Sequence, residues 1–470
     1  MTDSYDEIAY PGFPFPETHP DRLSVIGRLL GMKPAPATRC RVLELGCGDG
    51  GNLIPMALAL PGSEFVGIDL AGQPIARGQA LAGELGLRNI RLLQMDLRDF
   101  AADPGIFDYV IAYGLYSWVP EDARRKVLEI AGARLGPQGI AYVSYNAYPG
   151  CHPRRMLREM MLDHARAAES ADERLRMARE FLASLEDSPT LAGEYGALVK
   201  AEARRLVGRS DAALYHDELG EFYHPLYFRE FIAEAAAHGF EYLTEATLSD
   251  TATGIVEREQ HLDFLKGRAF RQTLLCRSGL EIDPSLRSAE IADLYAACSA
   301  TATTRGDETE FRAPRSGLRT AHPAAIAVLN TLIEAWPSAV RVPELPGDPL
   351  EVEAILMSAF TAGMVRLYAD PPALETTPGE RPVASPLARI QAGAGETVTT
   401  LLHTSIEIRD PVARRLLVLL DGTRDRAALI EELLPLTGGS RETLAPALDG
   451  NLTALARLGL LAPERRCTRS

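Results

Sequence analysis

The sequence predicts an α/β chain in which a mainly parallel sheet carries helices on both faces. Two observations carry this. Short apolar runs alternate with helix-forming stretches through the first third of the chain, and the first run breaks into a glycine-rich turn before its helix. Each run can be justified in order. RVLELGCGDGGN (Arg41 to Asn52) is a strand entering a turn, with helix-forming LIPMALAL behind it. EFVGIDL (Glu64 to Leu70) precedes PIARGQALAGELG, and IRLLQMDL (Ile90 to Leu97) precedes a short connection. FDYVIAYGL (Phe107 to Leu115) precedes PEDARRKVLEIAGARL, and GIAYVSYN (Gly139 to Asn146) is the fifth strand. Such sheets bind ligands in the crevice outside the carboxyl ends of their strands.

A length of 470 residues is expected to hold about two to four domains. With 46% apolar and 24% charged residues the composition is that of a globular protein, and no apolar run approaches the ~18 residues of a membrane span. Membrane insertion is not expected. The start, MTDSYDEIAYPGF, has neither a basic nor an apolar leader region, and the six cysteines form no CxxC pair, so a cytoplasmic location with reduced thiols is expected. A net charge of −15 argues against a nucleic-acid partner. The histidines and acids lack ligand spacing, so no metal is expected.

Gly46, Gly48 and Gly51 satisfy GxGxxG, and with Asp69 beyond them a dinucleotide has to be weighed. The wider pattern differs. Glu44 precedes Gly46, Gly50 extends the motif to ExGxGxG, and a second acid, Asp96, closes the third run. In this the segment resembles the class I methyltransferases that use S-adenosylmethionine, with a Rossmann-like sheet whose last strand is antiparallel. The resemblance implies that Gly46 and Gly48 admit the methionyl moiety close to the backbone, that Asp69 accepts from both ribose hydroxyls and that Asp96 accepts from the adenine amino group. It implies a cofactor site made by Glu44, Gly46, Cys47, Gly48, Asn52, Asp69, Leu70, Asp96, Leu97 and Tyr113.

A sheet of this kind should continue after its fifth strand with a helix and two further strands. Instead, ESADERLRMAREFLASLEDSPTLAGEYGALVKAEARRLVG supplies helix formers, and only PLYFREFIAEAAAHGFEYLTEATLSD (Pro225 to Asp250) and FRQTLLCRS (Phe270 to Ser278) restore a helix and two strands. The expected organisation is an arm and helix over 1–38, a methyltransferase core over 39–152 and a helical insertion over 153–214. Completion of the core, or a regulatory domain, follows over 215–281, then a linking helix and linker over 282–321. The region 322–470 is expected to be mostly helical and winged-helix-like. SYDEIAYPGFPFPETHPDRL (Ser4 to Leu23), SYNAYPGCHPRRMLREMM (Ser144 to Met161) and YHDELGEFYHPLYFREF (Tyr215 to Phe231) make the chain similar to bacterial methyltransferases with a regulatory domain, among them the protein-lysine methyltransferases of rickettsiae. At Cys151, His152 and Pro153 it departs from that pattern.

Methyl transfer needs an acceptor lone pair, alignment and exclusion of water. An amine near its ordinary pKa of ~10.4 must first lose a proton, which desolvation or a neighbouring Tyr or His assists. Tyr145, Tyr148 and His152 are therefore the expected catalytic residues, and Tyr5, Tyr10, Tyr116, Trp118 and Asn146 the expected acceptor-side residues; Tyr5, Tyr10, Tyr113, Tyr116, Trp118, Tyr145 and Tyr148 are the expected aromatic cage around an ammonium. His19, His216 and His224 are further candidate bases. Thr18 and Asp21 suggest a capping box ahead of an apolar helix, and the stiff YPGFPFP should form a strap across the cofactor mouth. In the last third, AIAVLNTLIEAWPSAVRVPEL with EVEAILMSAFTAGMVRLYADPP parallels RRLLVLLDGTRDRAALIEEL with LDGNLTALARLGLLAPER, two helix-turn-helix units with no basic cluster. Protein interaction or a homodimer is the preferred role. The resemblance to the rickettsial enzymes implies methylation of protein lysine as the activity. The alternatives are a small-molecule amine as acceptor, or a non-catalytic sensor of S-adenosylmethionine that recruits a partner.

Overall fold

The computed structural model describes residues 10–100, 105–248, 256–283, 285–314 and 316–463; Tyr5 lies outside them. Seven strands form the central sheet: β1 (Arg41–Leu45), β2 (Glu64–Asp69), β3 (Ile90–Gln94), β4 (Phe107–Ala112), β5 (Leu135–Asn146), β6 (Phe240–Glu245) and β7 (Phe270–Arg277). Their order is β3-β2-β1-β4-β5-β7-β6, with β7 antiparallel to both its neighbours and the first five parallel. The order reverses between β1 and β4, so the crevice opens where the glycine turn leaves β1. β3 stops at Gln94, short of the expected Leu97, and Asp96 lies on the following turn.

The helices of this half are α1 (Pro20–Leu29), α2 (Leu53–Ala59), α3 (Gly72–Glu84) and α4 (Glu121–Arg134). The insertion is helical as expected, with α5 (His152–His164), α6 (Ala171–Glu186), α7 (Gly193–Val207) and α8 (Asp211–Glu218) sharing an apolar core that includes Leu157, Met161, Leu182 and Leu206. α9 (Phe228–Ala237) ends at His238 and the left-handed Gly239 before β6, and α10 (Val256–Lys266) precedes β7. The capping of α1 differs from expectation. His19 is its N-cap, its Nδ1 accepting from Asp21 N at 3.2 Å, whereas Thr18 is buried and turned toward the glycine loop.

Leu286 to Cys298 does not form the expected linking helix. It makes a 3-10 turn (Ser288–Asp293) and β8 (Tyr295–Ala297), because pairing with two later strands overrides its helical spacing. The polar stretch after it is no linker either: β9 (Thr301–Arg305), β10 (Glu308–Ala313) and β11 (Ser316–Thr320) form an antiparallel sheet. Gly306 and Asp307, with Gly306 at φ 62°, make a two-residue hairpin turn, and Phe311 is fully buried on the inner side. α11 (Pro323–Ala335), β12 (Val340–Arg341), α12 (Pro349–Thr361) and β13 (Arg366–Tyr368) follow, β12 and β13 flanking β8. The terminal module holds β14 (Val383–Ala384), α13 (Pro386–Ala394), β15 (Thr397–Thr399), β16 (Ser405–Glu407), α14 (Pro411–Leu419), α15 (Arg426–Thr437), α16 (Arg441–Arg457) and β17 (Leu461–Ala462). Its leucine-rich core is its own, but α1 and the module around α11 and α12 share one apolar cluster with the sheet.

Candidate active site

The loop after β1 is built from left-handed glycines, Gly46 at φ 75°, Gly48 at φ 55° and Gly50 at φ 76°, a conformation that L side chains resist. Gly46 N and Cys47 N both donate to Ile68 O at 2.8 and 3.1 Å, which ties the loop to the end of β2. Asp69 completes the tie, its carboxylate accepting from Gly48 N at 2.8 Å and from Ala71 N at 2.9 Å. A side chain at Gly46 would press on Leu115, whereas one at Gly48 would meet nothing within 4 Å. The space a ligand could take therefore lies over Gly48. Leu70, 53% exposed, and Tyr113 directly follow β2 and β4, and Leu97 opens the 3-10 turn after β3. Asp96 is already engaged there: its carboxylate accepts from Arg98 N at 2.9 Å and pairs with the Arg98 guanidinium at 2.5 Å, which holds it below the usual carboxylate range.

Beneath the loop, Glu44 is buried. Its Oε1 accepts from Asn52 Nδ2 at 2.9 Å, and its Oε2 is buried with no partner among the described residues. Burial pushes its carboxyl up to about 8, opposed by the Asn52 bond and aided by the charges of Asp69 and Asp49. The strap expected from YPGFPFP is present. Gly12 crosses the loop so closely that a side chain on Gly51 would collide with its backbone and one on Gly12 would collide with the Asp49 carboxylate, and Phe15 stacks on Tyr113 with ring centroids 3.5 Å apart. Phe15 N donates to Asn52 Oδ1 at 3.0 Å, and Asn52 Nδ2 donates to Thr18 Oγ1 at 3.0 Å. A third contact comes from 351 residues away, where His403 Nε2 lies 3.0 Å from Asn52 Oδ1. Sequence reasoning missed His403, because nothing local marks a residue whose partner is so distant.

The acceptor-side candidates separate into three groups. Tyr145 and Tyr116 are core residues. Tyr145 packs on Phe231 at 4.3 Å, and Tyr116 donates to Glu234 Oε2 at 2.6 Å and stacks edgewise on the same Phe231. Neither meets the expectation of an open acceptor face, because side chains alternate along β5 and Tyr145 falls on the side covered by α9. Trp118 faces a cation already, the Arg154 guanidinium lying 5.2 Å from its ring and 5.5 Å from that of Tyr223, while Arg154 pairs with the buried Glu218 at 2.7 Å. Tyr10, at the edge of the strap, meets His216 edge-on at 5.7 Å. The third group is at the end of β5. Tyr148 accepts from Arg155 Nη1 at 2.8 Å and stacks on the exposed His152 at 4.3 Å, and His152 Nε2 is 3.4 Å from Tyr227 Oη. Asn146 lies between these groups, its Oδ1 accepting from Arg154 Nη1 at 3.3 Å and its Nδ2 buried without a partner among the described residues. No group of three or more His, Cys, Asp or Glu able to hold a metal occurs among the described residues, and none of their helices is long and apolar enough to cross a membrane.

Comparison with known proteins adds three family matches. A methyltransferase domain matches residues 42–139, a predicted methyltransferase regulatory domain matches 210–257, and the PKMT C-terminal winged helix domain matches 380–453. Two curated relatives are from Rickettsia prowazekii. RP789 is 36% identical over 306 residues, covering 61% of this chain and 55% of that protein, and RP028 is 35% identical over 244 residues, covering 51% of this chain and 96% of that one. The match thus spans little more than half of RP789. The solved structure of PKMT2 from Rickettsia typhi, also determined in complex with AdoHcy, is similar with a TM-score of 0.85 at 25% identity over 96% of this chain, and is covered over 100% and 99% of its own length.

Proposed function

The chain belongs to the S-adenosylmethionine-dependent methyltransferases that carry a regulatory domain and a PKMT-type winged helix, and we propose that it transfers a methyl group to lysine side chains of a protein. The observation that carries the acceptor is likeness to PKMT2 over 96% of the chain, a span that takes in the helical insertion and the terminal modules as well as the nucleotide fold. The residues of the loop fit the methyl donor. Gly48 leaves open space, the orphaned Oε2 of Glu44 suits an ammonium, and Asp69 stands at the end of β2 where ribose hydroxyls are accepted in related folds.

When bound, S-adenosylmethionine supplies an electrophilic methyl on a sulfonium. The chain's own task is placement. Phe15 on Tyr113 and the Gly12 crossing close the loop against water, which strengthens every charge interaction inside. Asn146, with its free buried donor, and the Tyr148, His152 and Tyr227 group border the side from which an acceptor amine enters. His152, exposed and in contact with Tyr227, is placed to take the amine's proton on its way to solvent.

The test is incubation of the purified protein and a labelled methyl donor with a cell extract, followed by mass spectrometry of proteins and small molecules. Methylated lysine in protein is the expected result. Label found only in small molecules would replace the protein acceptor with a metabolite, and no label at all in the presence of bound donor would leave a sensor.

A further inference from the structure

The hairpin of β15 and β16 belongs to the terminal module, yet its tip is seated on the catalytic core. His403 stands at this tip with φ 55°, a left-handed conformation that is unfavourable for a non-glycine residue and persists only where the surroundings enforce it. They do so here. Thr400 and Thr404 hydroxyls meet at 2.7 Å, His403 N donates to Thr400 O at 3.1 Å and Leu401 N donates to Gly459 O at 2.8 Å. What the strained tip delivers is a buried imidazole. Its ring lies edge-on to His19, the N-cap of α1, at 5.2 Å, and burial keeps it neutral. Because Asn52 Oδ1 can only accept, His403 Nε2–H is the donor at 3.0 Å, and Asn52 Nδ2 is left to hold Glu44.

We propose that His403 is a positioning residue of the cofactor site: it fixes the Asn52 amide that braces both Glu44 and the strap, so the terminal module completes a site otherwise built by the first 115 residues. A second contact sets the same geometry. Asp21 of α1 accepts from Ala369 N at 3.2 Å and Asp370 N at 2.8 Å, and Trp336 Nε1 donates to Arg457 O at 3.1 Å, so α1, the module around α11 and α12, and the terminal module are held in one register. By linkage, whatever seats the hairpin tightens the cofactor site and a bound cofactor tightens the hairpin.

This inference rests on the methyl-donor reading. It is tested on the full chain with S-adenosylhomocysteine as probe, by calorimetry of wild type, His403→Ala and His403→Gln and by hydrogen exchange of the wild type. His403→Ala should weaken binding by about tenfold, the loss of one buried hydrogen bond, and change kcat at saturating methyl donor by less than about twofold, a split that general destabilisation does not produce. His403→Gln, which can present its amide donor to Asn52, should recover most of the affinity. In the wild type, saturating probe should slow exchange of the amides of residues 401–404. Affinity within twofold of wild type in a folded His403→Ala, a His403→Gln no better than it, or unchanged exchange at the tip would each overturn the proposal while leaving the methyl-donor site intact. Failure of the wild type to bind the probe would overturn both. Should His403→Ala not fold, the exchange experiment decides.

Discussion

Glu44 carries the sharpest test of the charge balance under the glycine loop. Its carboxyl is pushed up to about 8 from an ordinary 4.5, chiefly by burial. At pH 7 such a group is roughly nine-tenths protonated, and at pH 8 about half. An ammonium docking beside the unpartnered Oε2 favours the carboxylate, so cofactor binding should expel roughly 0.9 of a proton at pH 7 and about half a proton at pH 8. Calorimetry in buffers of different ionisation enthalpy reads this number directly as the slope of the observed heat. Glu44→Gln preserves an acceptor for Asn52 Nδ2 but removes the titrating group. Its slope at pH 7 should fall by about one proton, and its affinity by the ~1.5 to 3 kcal/mol of a charge-assisted bond, about tenfold to 150-fold.

The free protein gives an independent reading with a definite sign. The folded-state pKa of Glu44 is raised, so its contribution is fully present below 4.5 and is lost as pH rises through about 8. Across that window the native state holds a proton that the unfolded chain has released, and the loss amounts to at most about 5 kcal/mol. Denaturation of Glu44→Gln at a series of pH values should therefore show a flatter decline than wild type. Equal proton release on binding in wild type and variant would refute the reasoning, because it would mean that the cofactor's charge does not reach this carboxylate.

Three further outcomes are expected. Asp69→Ala removes the acceptor of both Gly48 N and Ala71 N, and should weaken S-adenosylhomocysteine binding by tenfold or more in calorimetry while the protein stays folded. Asn146→Ala should lower turnover at least tenfold, ~1.4 kcal/mol, with donor affinity within twofold, whereas Tyr145→Phe should keep turnover within about twofold, since among the described residues its hydroxyl meets only the Thr273 hydroxyl, at 3.5 Å. Burial raises Asp21 to about 7 from 3.8, so wild-type stability should fall as pH rises through that range and Asp21→Asn should gain relative stability in the same window, up to about 4 kcal/mol in urea titrations at pH 8 against pH 4.

What could be read from the chain was what is local. The order of strands and helices, the glycine loop, Asp69, the helical insertion and the strap all follow from periods and turn residues within a few positions of one another. What could not be read depends on distant pairing. Leu286 to Cys298 has helical spacing, but β12 and β13 capture it as a strand, and β9 to β11 hide in a polar stretch because β9 is exposed along its whole length and, of the three strands, only β10 buries residues, Thr309 and Phe311. The aromatic cluster of β5 shows the same limit on a smaller scale. Tyr145 and Asn146 are adjacent, and the strand sends one into the core under α9 and the other toward Arg154. His403 had no signal in its own neighbourhood at all.

The aromatic cage expected around an acceptor ammonium can be judged on energies. Trp118 and Tyr223 offer ring faces, but Arg154 lies over both, held by a bidentate pair with Glu218, which is buried and also pairs with Arg209 at 3.1 Å. A cation over an aromatic ring gains about 0.5 to 2 kcal/mol. Turning Arg154 out to admit a lysine would leave a buried carboxylate short of its main partner, at a cost of about 3 to 5 kcal/mol. The exchange is unfavourable, so Trp118 serves the fold of the roof, and an entering ammonium has to find its aromatic surface elsewhere. Among the described residues two of the candidate places remain, Tyr10 of the strap beside His216 of α8 and the stacked Tyr148 and His152 pair at the end of β5. Asn146 stands between them with an unspent donor, which would meet a backbone or side-chain carbonyl of the acceptor better than its cation. If the acceptor is a protein lysine, as proposed, selection of a peptide over a free amine rests on that amide, and Asn146→Asp, which replaces the donor by an acceptor, should penalise protein acceptors more than free amines of the same charge.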